Sequence, residues 1–366
     1  MDQLSRTFSH QIQDIYSHIG NEYSRRMFSN RLLYSLTGDM FYIKQVIETT
    51  SEGQEFLSKI YNDKRKIIFS AGAWGCEIIN SYPDVVFEGF VDNKISGNEP
   101  DGTCLGYPVI SFHKYLCKYA KDTVVVIASR LYYKEIHSQL HEAGIPDELI
   151  VNAGKMIDDM SIRQYFDLPE LNDCRKVKEN FVDAGSFDGR TSILFSKWCK
   201  NNNHITKEIS AYAFEPDKKN ALKCNINLSE NFEYSEHGGE FQVVEKGLWN
   251  KRKTISFQSA ANGTSRISEQ GEGRIEVDRL DNMILSDEQI TFIKMDLEGA
   301  EYEALLGARN IIEKCKPKLA ISLYHKPEDV WELPSLILEM NPNYKLYLGH
   351  YSVAAAETVL YAVDRN

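Results

Sequence analysis

The sequence lacks several features that would settle its class at once. None of its apolar runs approaches the roughly 20 residues needed to cross a bilayer. Its N-terminus is polar, without the apolar core of a secretion signal. Both absences lead to the expectation of a cytoplasmic protein with no membrane span. Lys and Arg form no long block and the formal net charge is -11, which argues against a nucleic-acid partner. The seven cysteines are scattered and contain no C-x-x-C pair, which speaks against a disulfide framework and a structural zinc site. They read as reduced, half-buried small apolar residues. There is no low-complexity tract.

What is present has the rhythm of α/β structure. A length of 366 residues suggests two domains. Residues 1–64 read as a helical extension, with Phe8, Ile12, Ile15, Tyr16, Ile19 and Tyr23 on one helical face. This segment would act as a lid, a brace or a dimer surface, so a homodimer stays open. Residues 65–154 alternate short apolar runs with helices, including Lys66–Ser70 and Thr123–Ser129, and read as a small Rossmann-like domain. Residues 155–177 form a helical linker. Residues 178–366 form a second α/β domain, with strands centred on Val182, Tyr212, Val244, Ile293 and Ile321. Two further strands, Tyr344–Leu348 and Thr358–Val363, should pair antiparallel because little helix separates them.

The chemistry-bearing residues cluster in the second domain. Phe181–Thr191 reads as a strand, a turn holding Gly185, Ser186, Phe187 and Gly189, and a helix start at Thr191. Asp183 could receive an ammonium group directly or through water. Glu215, followed by the stiffening Pro216, ends the next strand, where an acid accepts hydrogen bonds from ribose hydroxyls. Gly247 and Ser265 are expected beside the base of an adenosyl cofactor. Asp296 and Glu298 end the fourth strand, and strand alternation points them the same way, with Lys294 as their charged neighbour. Glu301 would serve the dipole of the following helix. Tyr324 and His325 follow the fifth strand, and His350 and Tyr351 lie in the loop of the terminal pair as substrate contacts. His325 titrates near neutrality and is the first candidate for a base.

These residues resemble the FkbM family of S-adenosylmethionine-dependent methyltransferases. The resemblance is carried by Phe181–Thr191, Phe214-Glu215-Pro216, Val277–Asp281, Ile293–Glu301 and Tyr324-His325. It implies a class I methyltransferase sheet ending in an antiparallel strand pair. It also implies S-adenosylmethionine as cofactor, and O-methylation of a saccharide or nucleotide-linked sugar. It supports cofactor contacts at Asp183, Gly185, Gly189 and Glu215, and an active site at Asp296, Glu298 and His325. A divalent metal on Asp296, Glu298 and His325 ranks below a metal-free site, because Lys294 could already supply positive charge.

The first domain carries a weaker signal. Ser70-Ala71-Gly72-Ala73-Trp74-Gly75 is a G-x-G-x-x-G turn with serine in first place, and Asp92 ends the next strand. Gly72, Trp74, Gly75 and Asp92 would hold a nucleotide, as in the domain this region resembles at the front of some sugar acetyltransferases; a degenerate domain kept for assembly is an equal reading. The alternatives are therefore a nucleotide-dependent oxidoreductase or a non-catalytic sugar-nucleotide-binding protein.

Overall fold

The structure is a computed structural model. It describes residues 3–95, 102–172, 176–201, 206, 208–233, 238–258, 266–267, 273–285 and 287–364. Two compact units emerge, each discontinuous in sequence. One takes Thr37–Gln164 with His350–Glu357; the other takes the chain up to Leu36, Tyr165–Gly349 and the chain from Thr358 on.

The first unit is built on a six-stranded sheet. Its strands are β1 (Arg65–Phe69), β2 (Phe87–Val91), β3 (Gly102–Cys104), β4 (Tyr107–Ile110), β5 (Thr123–Ile127) and β6 (Ile150–Val151). Their order is β3-β4-β2-β1-β5-β6. All neighbours run parallel except β3, which turns back on β4. Helices on the sheet faces explain why β5 is an unbroken apolar and β-branched run, with every residue buried. The helix Tyr133–Glu142 stops where Gly144 takes a φ of 75°. The β3–β4 hairpin was not anticipated from sequence.

The second unit opens with the helices Gln3–His18 and Glu22–Thr37, broken around Gly20. Tyr16 and Tyr23 do not belong to a buried face: they are 41% and 47% exposed, Tyr23 because it lies past the break in a new helix with a new phase. Ile15 and Ile19 are buried. Phe8 meets Trp331 edge-on, and Gly20 N donates to Leu346 O at 2.9 Å. The opening helix therefore packs within this unit.

The second unit's strands are β7 (Lys178–Ala184), β8 (Glu208–Phe214), β9 (Phe241–Val244), β10 (Gly247–Leu248), β11 (Lys253–Gln258), β12 (Arg266–Ile267), β13 (Gly273–Asp278), β14 (Phe292–Met295), β15 (Lys318–Ser322), β16 (Tyr344–His350) and β17 (Thr358–Asp364). Seven of them form a sheet ordered β16-β17-β15-β14-β7-β8-β9. The run from β15 to β9 is parallel and β17 is antiparallel to β15. The expected α/β class and the strand centres are thus observed. Strands β10, β13, β11 and β12 make a separate four-stranded sheet, in that order, that the sequence reading missed.

An aromatic cluster of Phe166, Phe181, Phe195, Trp198 and Phe292 packs on one face of the large sheet, with Phe181 and Phe195 stacked at 4.3 Å. Phe166 comes from the stretch read as a linker, so that stretch contributes to this core. Chain order reverses beside β7, which has β8 on one side and β14 on the other. The crevice outside the carboxyl ends of β7 and β14 is the position where open α/β sheets bind ligands.

Candidate active site

The turn after β7 is built to be tight. Gly185 has a φ of 78°, and a Cβ there would lie 2.0 Å from Asp296 O. Only glycine lets the two strand ends approach so closely. Gly189 has a φ of 80° and packs against Cys224 and Leu228. Ser186 is buried with its Oγ 3.5 Å from Cys224 Sγ, Phe187 adopts a φ of 50°, and Thr191 is half-buried at the start of the helix Arg190–Asn201.

Beneath this turn lies a buried ion pair. Lys294 Nζ is 3.1 Å from Asp183 Oδ1 and donates to Gly185 O at 2.7 Å and Ala184 O at 3.2 Å. Ser192 Oγ donates to Asp183 Oδ2 at 2.8 Å. Burial opposes the Lys294 charge, yet Asp183 and Asp296 hold its pKa above the ordinary lysine value. Two expectations change here. Lys294 pairs with Asp183 rather than with Asp296 or Glu298, because parallel-strand register sets Lys294 opposite Asp183. Asp183 has no exposed surface, so it supports the turn from below and offers no face to an ammonium group.

Glu215 reaches back to the same turn. Its Oε2 accepts from Phe187 N at 3.0 Å and its Oε1 from Asp217 N at 2.9 Å. Burial raises its pKa to about 7, against the pull of those two N–H groups. The Asn220 side chain is a third partner, and since a carboxylate has about four acceptor sites, one remains for a ligand. Pro216 leads into Asp217, which caps the helix Lys218–Asn231 through Lys219 N and Asn220 N. Gly247 sits beside Pro216: a Cβ on it would be 3.8 Å from Pro216 Cβ and 2.9 Å from Val277. Ser265 lies outside the described residues.

The reactive pole forms at the ends of β14 and β15. Asp296 Oδ2 accepts from Tyr165 Oη at 3.1 Å, and its Oδ1 accepts from Tyr324 Oη at 3.3 Å. His325 Nε2 faces Asp296 Oδ1 at 3.5 Å and Glu298 Oε2 at 3.7 Å. On the other side of the ring, Nδ1 is 2.9 Å from Glu301 Oε1. Glu301 is fully buried and also accepts from Leu297 N at 2.6 Å. It therefore anchors His325 rather than merely serving a helix dipole. Glu298 reaches the group through a left-handed residue, with a φ of 52°, and not by strand alternation, since β14 has already ended at Met295.

These contacts set the charges. Burial disfavours the His325 cation, but the Glu301 hydrogen bond and the charges of Glu301, Asp296 and Glu298 outweigh it and raise the pKa to about 10. Burial also disfavours the Asp296 anion, while Lys294 and His325 hold its pKa below the usual carboxylate range.

Tyr165 was missed in the sequence. It is 131 positions from Asp296 and carries no local motif. His350 and Tyr351 are buried and fall in the other compact unit. There too, Ser70 takes a φ of 96°, Gly72 is exposed, Trp74 half-buried, and a Cβ on Gly75 would lie 2.3 Å from Ser70 O. Asp92 Oδ2 accepts from Ala71 N at 3.0 Å.

No helix among the described residues is long and apolar enough to cross a membrane. No curated protein matches the chain. The chain is similar to a solved structure of methyltransferase FkbM from Methylobacillus flagellatus, at 19% identity, covering 90% of this chain and 100% of that one, with a TM-score of 0.45. Residues 183–347, the span that holds Asp183, Glu215, Asp296 and His325, match the methyltransferase FkbM domain.

Proposed function

We propose that the second unit transfers a methyl group from S-adenosylmethionine to a hydroxyl, on a saccharide or a nucleotide-linked sugar. The observation that carries this reading is Glu215. It is locked to the β7 turn by Phe187 N, a brace the first sheet shares, and beyond Phe187 N, Asp217 N and the Asn220 side chain it keeps an acceptor position for a ribose hydroxyl. S-Adenosylmethionine would supply a methyl group already activated by its sulfonium, so the chain's work is alignment and proton removal.

Glu215 binds the ribose, and the adenine lies toward the end of β9, near Gly247. The Lys294–Asp183 pair fixes the turn without touching the ligand. Asp296, held by Tyr165 and Tyr324, and His325, held by Glu301, face one point at the strand ends. His325, expected from sequence to titrate near neutrality, is held as a cation by its three acidic neighbours, so it takes the proton of an acceptor hydroxyl only after giving up its own. The saccharide class rests on the resemblance to FkbM enzymes alone.

Calorimetry with S-adenosylhomocysteine on the full chain tests the reading. One saturable site per chain is the expected result. Absence of binding by folded protein overturns it.

A further inference from the structure

The geometry points to a divalent cation site built on His325 Nε2 and Asp296 Oδ1, with Glu298 at its edge 3.7 Å from Nε2 and Glu301 holding the imidazole from behind. Among the described residues, Asp296, Glu301 and His325 are the one group of His, Cys, Asp and Glu side chains whose ligand atoms all lie within 4.8 Å of one another.

Three observations support the site. First, His325 Nε2 is buried without a hydrogen-bond partner, on a side chain only 8% exposed, and it is aimed at two carboxylates. Second, its distances to those carboxylates, 3.5 and 3.7 Å, are too long for hydrogen bonds. They approach the separation of two ligands sharing one ion, roughly 3.0–3.6 Å for metal–ligand bonds of about 2.1 Å. Third, Nδ1 lies 2.9 Å from a fully buried carboxylate on the far side of the ring, which turns Nε2 toward Asp296 and Glu298, where an ion would displace its proton.

Lys294, the nearest lysine in sequence to Asp296, is ion-paired with Asp183 and bonded to the Ala184 and Gly185 carbonyls, and it acts on Asp296 through space. A nitrogen donor with carboxylates suits Mn²⁺ or Zn²⁺ better than the harder Mg²⁺ or Ca²⁺. The ion's use, lowering the pKa of an acceptor hydroxyl, rests on the methyl-transfer reading. Binding of the ion does not.

The test is titration of the EDTA-dialysed full chain with MnCl₂, followed by loss of the free Mn²⁺ electron paramagnetic resonance signal, with circular dichroism to verify the fold. The expected result is one saturable site per chain. Binding should be lost in His325→Ala and Asp296→Asn, and weakened roughly 10–100-fold in Glu301→Gln. Glu298→Gln, at a more exposed position, gives a second variant should the buried ones unfold, and it should weaken binding as well. Folded wild type that takes up neither Mn²⁺ nor Zn²⁺, or variants that bind as the wild type does, overturns the site. S-Adenosylhomocysteine binding by the same metal-free protein separates the two proposals: retained cofactor binding without Mn²⁺ uptake rejects the metal site alone.

Discussion

The two sheets repeat one hydrogen-bond scheme, and their chemistry parts at three positions. Ser70 N donates to Val91 O after β1, and Gly185 N donates to Phe214 O after β7. Asp92 N donates to Ile110 O, and Glu215 N to Val244 O. Ala128 N donates to Phe69 O, and Asp296 N to Ala184 O. In each sheet the acid ending the second strand also accepts from the turn, at 3.0 Å from Ala71 N in one and 3.0 Å from Phe187 N in the other. This brace belongs to the fold, so by itself it identifies no ligand.

The differences are instructive. Where the second sheet has Asp296, the first has Ala128. Where the second pairs Lys294 with Asp183 in register, the first pairs Val126 with Ile68. Where the second needs Gly185 to admit Asp296 O at close range, the first tolerates Ser70. An apolar pair suffices to hold the first sheet, so the ion pair in the second is explained better by the turn it steadies than by stability.

The largest effect is expected at that ion pair. Lys294→Val alone strands the buried Asp183 carboxylate and should cost about 3–5 kcal/mol in urea unfolding. Adding Asp183→Ile, which copies the first sheet, should recover most of that loss while weakening cofactor affinity. A double variant as unstable as the single one would mean the two sheets are not equivalent here.

Next comes the turn. Gly185→Ala should destabilise by about 3 kcal/mol, from strained backbone and a contact with Asp296 O that cannot relax. Ser70→Gly should instead stabilise by up to about 1 kcal/mol, as a left-handed serine is relieved. Urea midpoints decide between them, and similar losses at both positions would contradict the contrast.

The acids should separate by ligand affinity. Glu215→Ala should weaken S-adenosylhomocysteine binding about 10–100-fold, the worth of charge-assisted hydrogen bonds. Asp92→Ala should leave it unchanged. Saturable fluorescence quenching of NADH that Asp92→Ala abolishes would instead favour a nucleotide in the first sheet.

The smallest effect is in pH. The free Glu215 carboxyl has a pKa of about 7, and its ionised form is the stronger acceptor for a ribose hydroxyl. Cofactor affinity should therefore rise with pH and level off above 7, falling at most about tenfold per unit below it. Folding runs the other way: a raised carboxyl pKa favours the folded state at low pH, and that contribution fades between the unfolded value and about 7 as pH rises. Glu215→Gln should flatten the affinity profile.

Much of this architecture was legible in the residues. The β7 turn, Glu215 and Asp296 lie at strand ends that apolar runs mark by themselves. Other parts were not. Lys294 sits in a strand buried on both faces, so alternation gave its side but not its partner, which depends on β7–β14 register. Glu301 read as an acid serving the dipole of a helix start, and its contact with His325, which follows β15, depends on the folded sheet. Tyr165 depends on a contact across 131 residues. The β10–β13 sheet is made of short strands, two of them with only two residues each, too brief for periodicity to register.

A crystal structure of the full chain with S-adenosylhomocysteine tests the central claim most directly. The account predicts ribose hydroxyls on Glu215 and the sulfur directed toward the point shared by Asp296 and His325. A ligand seated instead at the Ser70–Gly75 turn, or elsewhere with Glu215 untouched, would contradict it.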